Sequence, residues 1–322
     1  MSKQEHAKEN PVIVQFFHSS CECPVEQLKR GKSRFGSGDS VFVPWVVKKG
    51  KTNSPADDGC KIVCDGHTRR LISHDGQYVD PSGKLKSAQM AFWGEWEADT
   101  YATKLPSPKS SASFHARWVH TVSLPAVVPD PKCVNTDPCV FGSSFKYCCC
   151  LQQNRANPNI MRRLPPGSLI LFGSRFHREF VLDTVFVVDG PGVEYEIRNS
   201  SNLEVSTEYR KLTLDRLHGS GKHTFFRGAT FGQEQGPYSF VPAKQFTNDS
   251  AVCGERFRLD VNALNSCLTG CKQKLSTNPK KKRGITTVRT DSSTILSVWH
   301  NILNQVHNTP GFVPAVHFDW PK

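Results

Sequence analysis

Two apolar runs in the middle of the chain constrain its fold more than any other feature. RRLPPGSLILFGS (162–174) opens on a Pro-Pro-Gly turn and passes straight into SLILFG, and EFVLDTVFVVDG (179–190) follows after a short polar link. Runs of β-branched and aromatic residues of strand length, joined by a short link containing Gly, read as an antiparallel hairpin. Asp183 and Thr184 interrupt the second run. Strict alternation puts Val181, Asp183 and Val185 on one face and Leu182, Thr184 and Phe186 on the other.

More strands are expected upstream. PVIVQFFH (11–18) is a strand-length apolar run, and SVFVPWVV (40–47) is another that Pro44 demotes to an edge. Asp75-Gly76 and Ser82-Gly83 carry turn chemistry, and AQMAFWGEWE is a strand in which Trp93 and Trp96 share a face only if Gly94 marks a bulge. Residues 104–132 hold five Pro and five Ser, a composition that resists continuous helix or sheet. Amphipathic patterns predict helices over 203–217, 260–275 and 291–311, the last with Ile295, Val298, Trp299, Ile302, Leu303 and Val306 at the 3.6-residue period, Asp291 or a following Ser as its cap and Pro310-Gly311 as its stop. The expected class is α+β, with a β-rich N-terminal and central part and helices in the C-terminal third. The expected organisation is a β-rich region 1–103, a Pro/Ser-rich connection 104–132 and a region 133–322 that folds with the first part or apart from it.

Charge supplies the first clue to partners. Of 322 residues 37% are hydrophobic, enough for a core, while Lys+Arg 41 against Asp+Glu 29 gives +12. Such a field attracts polyanions by releasing their counterions. The stretch 270–289 holds seven Lys/Arg and no acid, including the run Lys280, Lys281, Lys282, Arg283. Arg162, Arg163, Arg175 and Arg178 surround the central hairpin, and Arg227 follows it. Together these cations are expected to line a phosphate backbone on one basic face, with Trp93 and Trp96 as stacking platforms for bases.

No window nears 18 apolar residues, and the first ten residues are polar, so a membrane span and an export signal are not expected. A cytoplasmic setting follows, in which the 12 Cys are expected mostly as free thiols. The pairs Cys21/Cys23 and Cys60/Cys64 lack the spacing of strong zinc motifs; no metal is assigned, and these four are the ligands if there is one. No cofactor is expected. Walker A, G-x-G-x-x-G, H-E-x-x-H and G-x-S-x-G patterns are all missing, which disfavours the usual NTP, dinucleotide and esterase chemistries. Glu95, Glu97, Asp137, Asp183, His67 and His74 are the groups from which a hydrolytic site would be drawn.

Pro166-Gly167-Ser168 leading into LILFGS and then FVLDTVFVV resembles the paired strands of PUA-like, ASCH and EVE barrels. That resemblance implies a barrel that recognises nucleic acid or modified bases. FFH, DGHTRRLISHDGQYVD, FWGEWE, NTDPCVFG, RRLPPGSLILFGS, FVLDTVFVV and FRGAT…YSFVPA together resemble an uncharacterised family of bacterial proteins, a likeness that covers most of 12–246 and implies no activity. The leading expectation is a nucleic-acid-binding protein with DNA or RNA as partner, reading modified bases. An enzyme acting on nucleotides or nucleic acid is the alternative, and an interaction protein with incidental charge is the third.

Overall fold

A computed structural model describes residues 10–18, 40–43, 50–55, 61–64, 69–95, 100–105, 116, 118–122, 124, 137–154, 157–176, 179–217, 221–232, 236–246, 254–278 and 284–322. Its strands in chain order are β1 (Val12–His18), β2 (Ser40–Val43), β3 (Gly50–Pro55), β4 (Lys61–Cys64), β5 (Arg69–Val79), β6 (Leu85–Glu95), β7 (Thr100–Lys104), β8 (Trp118–Val122) and β9 (Lys146–Tyr147). They continue with β10 (Gln153–Asn154), β11 (Asn157–Pro158), β12 (Leu169–Phe176), β13 (Glu179–Val187), β14 (Val193–Glu196), β15 (Lys222–Arg227), β16 (Val241–Gln245), β17 (Gly284–Arg289) and β18 (Phe312–Phe318). The described α-helices are α1 (Thr207–Leu212), α2 (Val261–Cys267) and α3 (Ser292–Asn308). The protein is α+β, with its helices mostly in the C-terminal part.

The expected hairpin forms as β12 and β13, but it is the edge of a four-stranded sheet in the order β13-β12-β1-β17. At its centre β1 and β12 run parallel, Ile13 opposite Leu169 and His18 opposite Ser174. Every residue of β1 is buried, because both faces of this sheet are covered. Val12, Val14 and Phe16 enter one core with Ile170 and Phe172. Ile13 and Phe17 enter a second, with Leu169, Leu171 and the apolar stripe of α3. Gln15 points into that second side too, and its amide exchanges hydrogen bonds of 3.0 and 2.8 Å with the backbone of Ser276, so a buried polar group is satisfied without water.

A seven-stranded sheet runs β18-β16-β6-β5-β8-β7-β2, and β18 also pairs with β5, so β5, β6, β16 and β18 close on themselves. Three further strands, β14-β15-β9, form a smaller sheet. Strands from 12–104 and from 146–318 share both large sheets, so the segment between them divides no core. Within 104–132 the β-branched stretch Trp118–Val122 escapes its Pro/Ser-rich surroundings and forms β8.

Asp75-Gly76 is not a turn. It lies mid-strand in β5, and the reversal comes at Asp80, whose carboxylate accepts from the N–H of Ser82 and of Lys84, with Gly83 at φ 79°. Gly76 serves a different need. It sits opposite Phe318, where an added Cβ would meet the His317 carbonyl oxygen at 2.2 Å. Gly76→Ala is expected to cost about 1–3 kcal/mol through overpacking. A thermal melt unchanged from the parent would show that β18 does not close on β5.

Pairing runs through Gly94 without a bulge, since Leu71 faces Trp93 and Arg70 faces Gly94. α3 forms where its period predicts, capped by the Asp291 carboxylate on Thr294 N–H at 2.7 Å. The other two helices are shorter than predicted. α1 gives way to a 3-10 turn at Leu214–Arg216, and after α2 the chain turns back at Gly270 (φ 81°), pinned by the Asn265 amide on the Leu275 backbone.

Candidate nucleic-acid interface and a buried ion-pair cluster

Alternation in β13 breaks at Asp183. Phe172 pairs with Thr184 and Gly173 with Leu182, so Asp183 is the extra residue of a β-bulge. The bulge brings Leu182 and Val185 to the same core, where strict alternation separates them. Gly173 makes it possible, because a Cβ there would meet the Val181 carbonyl oxygen at 2.2 Å.

Turned inward by the bulge, the Asp183 carboxylate meets Arg69 from the start of β5, Nη2 to Oδ2 at 3.2 Å, with side chains only 2% and 1% exposed. Arg69 Nη2 also approaches the Gly173 carbonyl at 3.5 Å. Arg256 donates from Nη1 to Ser174 Oγ at 2.7 Å, and its guanidinium lies 4.2 Å over the Trp93 ring. Burial pushes the Asp183 carboxyl up from its ordinary value, opposed by the charges of Arg69 and Arg256 and a hydrogen bond from Ser174. Burial likewise lowers Arg69, opposed chiefly by Asp183. Five chain segments thus meet in one polar cluster at the carboxyl ends of the parallel pair β1/β12, where His18 also lies buried.

Trp93 belongs to this cluster as packing. It is 4% exposed, its indole N–H donates to the Gly254 carbonyl at 3.2 Å, and a ring face is taken by Arg256. The stacking platform expected of it is corrected accordingly: a buried indole offers no face to a base. Trp96, Arg178, Lys280, Lys281, Lys282, Arg283, Cys21, Cys23 and Cys60 lie outside the described residues, as do the side chains of Arg175 and Cys64.

Among the described residues the predicted cations do not all lie at one end of the four-stranded sheet. Phe17 pairs with Gly284, His18 with Ser174 and Phe176 with Glu179. These pairs mark one end, where Arg175 follows Ser174 in β12, while Arg178 and the residues just before Gly284 lie outside the described residues. Arg162, Arg163 and Arg227 belong to the opposite end: Thr224 Oγ1 donates to the Arg162 carbonyl at 3.0 Å, and Asp189 N–H to the Arg227 carbonyl at 3.0 Å. Arg162 is paired with Glu194 at 2.7 Å, and Arg163 is exposed. Arg162, Arg163 and Arg227 thus lie apart from Arg175 in the sheet, and the other predicted cations fall outside the described residues.

Asp137 and Asp183, considered above for one hydrolytic site, have separate duties. The N–H groups of Cys148, Cys149 and Cys150 donate to the Asp137 carboxylate at 2.9, 2.7 and 2.7 Å. The six cysteines whose side chains are described are free thiols, and Cys139, Cys148 and Cys150 are buried as small apolar side chains. Among the described residues no three His, Cys, Asp or Glu side chains gather to hold a metal. Asp183 was visible in the sequence as a charge inside an apolar strand. Arg69, Ser174 and Arg256 carried no such signal, since each stands among ordinary polar neighbours. Compared with known proteins, the chain matches no family model, no curated protein and no solved structure.

Proposed function

We propose that the protein binds nucleic acid through the cationic end of the four-stranded sheet. One observation carries this reading: the register Phe17–Gly284 and His18–Ser174 delivers the chain following Ser174 and the chain preceding Gly284 to the same end. β12 and β17 flank β1, so the two entry points are about 10 Å apart, two strand spacings. On this reading Arg175, Arg178, Lys280, Lys281, Lys282 and Arg283 neutralise phosphates, and the ion-pair cluster beneath holds the strand ends in place. The net charge of +12 favours such a partner. Likeness to PUA-like barrels and to the bacterial family, recognition of modified bases and a cytoplasmic site of action are parts of the same proposal. Among the described residues no helix is long and apolar enough to cross a membrane.

A second reading, turnover of a bound nucleotide, draws on Asp183. It is a carboxyl pushed up by burial, placed in a bulge and hydrogen-bonded to Ser174. Both readings are tested together with fluorescent oligonucleotides, single- and double-stranded. Anisotropy should weaken steeply between about 50 and about 200 mM salt. Replacing Lys280, Lys281, Lys282 and Arg283 by Ala should lower the salt slope by about 0.9 per lost contact on duplex, as should Arg175→Ala with Arg178→Ala. Arg163→Ala at the far end should leave the slope unchanged. No binding at the lower salt would refute the proposal, and cleaved product would favour the second reading.

A further inference from the structure

A cleft of about 210 Å³ opens at the far end of the sheet, between residues 189–193, residues 202–204 and the last residues of β15. Its volume lies below the roughly 300 Å³ at which pockets for drug-sized ligands begin, so it suits one ring system and not a chain. Phe225 and Leu203 line its apolar side and are themselves almost fully buried. Val193 lines it too and is 44% exposed, one of three large apolar side chains so exposed among the described residues. An apolar side chain left open beside an apolar wall is the arrangement that a flat ligand covers.

The polar groups of the cleft are Asp189, Asn202, Glu204 and Arg227. Asp189 and Arg227 are backbone neighbours across a 3.0 Å hydrogen bond, which brings a carboxylate and a guanidinium to one level of the cleft. They do not pair with each other. Arg227 Nη2 donates to the Glu204 carbonyl at 2.8 Å, leaving guanidinium donors to spare, and the Asp189 carboxylate is exposed. Asn202 spends its Nδ2 on the Glu194 carbonyl at 2.8 Å, which keeps its oxygen as an acceptor. The cleft therefore offers acceptors beside donors along the edge of an apolar slot.

We propose that this cleft binds a guanine base. Guanine presents the complementary edge: its N1–H and N2–H₂ groups face the Asp189 carboxylate, and its O6 accepts from Arg227. Adenine offers an amino donor and one ring acceptor, and so forms fewer of these bonds. A pyrimidine covers less of the Phe225–Val193 side. The proposal takes only its class of ligand from the nucleic-acid reading, and its residues are distinct from those given to the phosphates above.

Isothermal titration of the full chain with GMP, AMP, CMP and UMP tests it. GMP is expected to bind at least about tenfold more tightly than AMP, the difference of one hydrogen bond to a charged group. Asp189→Asn should abolish that preference, and Arg227→Ala should weaken GMP by about tenfold. Both side chains are exposed, so thermal melts should match the parent. Equal affinity for GMP and AMP, or a preference that survives Asp189→Asn, overturns the guanine site. If oligonucleotides bind with a steep salt dependence while GMP shows no preference, the cleft is refuted and the phosphate reading stands. A GMP preference without any oligonucleotide binding supports the cleft and refutes the phosphate reading.

Discussion

Asp183→Ala should lose about 3–5 kcal/mol of folding stability, read by urea denaturation, because it leaves Arg69 charged and buried with no carboxylate. A guanidinium does not lose its proton at working pH, so it cannot escape by neutralising. The loss should sit at the upper part of that range. With the carboxylate gone, the charges of Arg69 and Arg256 both lose the anion they oppose. Arg69→Met should cost a similar amount by stranding Asp183, although a carboxylic acid can take up a proton and so soften the loss. The double variant Arg69→Met with Asp183→Leu is the decisive comparison. Removing both charges also removes both desolvation penalties, so it should be more stable than either single variant. Additive losses would mean that the two residues are not a coupled pair.

The same double variant separates a scaffold from a reaction centre. Should the cluster only hold the strand ends, the folded double variant keeps the parent's salt slope for oligonucleotides. Should Asp183 act on a bound nucleotide, binding survives and turnover disappears. Neither result depends on the stability of the single variants.

The parts of this fold that could be read from the sequence are those with local causes. The β12/β13 hairpin follows from two β-branched runs and a short link, and α3 from six apolar residues at helical period with an Asp cap. What escaped the sequence depends on partners far along the chain. Nothing near Val12 announces that β1 pairs in parallel with Leu169, more than 150 residues away. Asp75-Gly76 has turn chemistry, yet Gly76 exists for the close approach of β18. Asp183 was legible as an anomaly, but its partner Arg69 was hidden in a pair of arginines that reads as solvent-facing. Trp93 was legible as important and misread in role, since aromatic residues serve cores and stacking surfaces alike. Strand register alone sets Arg162, Arg163 and Arg227 at the end of the sheet away from Arg175.

The largest effect is expected at Asp137. Its carboxylate accepts three consecutive N–H groups, from Cys148, Cys149 and Cys150, while Tyr195 and Tyr147 donate to the Cys148 and Cys150 carbonyls at 2.9 and 2.5 Å. The turn is thus clamped from both sides inside the core. Asp137→Ala strands three buried donors at about 1–3 kcal/mol each, so at least about 3 kcal/mol should be lost. The pH dependence is the sharper test. Burial raises the Asp137 carboxyl from 3.8 to about 6, against the three N–H bonds that favour the anion. Because the folded state holds this proton more tightly, its contribution is complete below about pH 4 and is lost as pH rises to about 6, a change of about 3 kcal/mol. Asp80, Glu208 and Asp291 are held below their ordinary values by hydrogen bonds, so they act in the opposite direction and at lower pH. Asp183 is raised like Asp137, and a difference between two proteins that share it removes it from the comparison. Asp137→Asn provides that difference. It carries no charge at any pH and offers one oxygen to three donors, so it should be less stable throughout. Its stability loss relative to the parent should shrink by about 3 kcal/mol between about pH 4 and about pH 6. A loss that stays constant across that range would place the Asp137 carboxyl at or below its ordinary value, with the three N–H bonds matching or outweighing its burial.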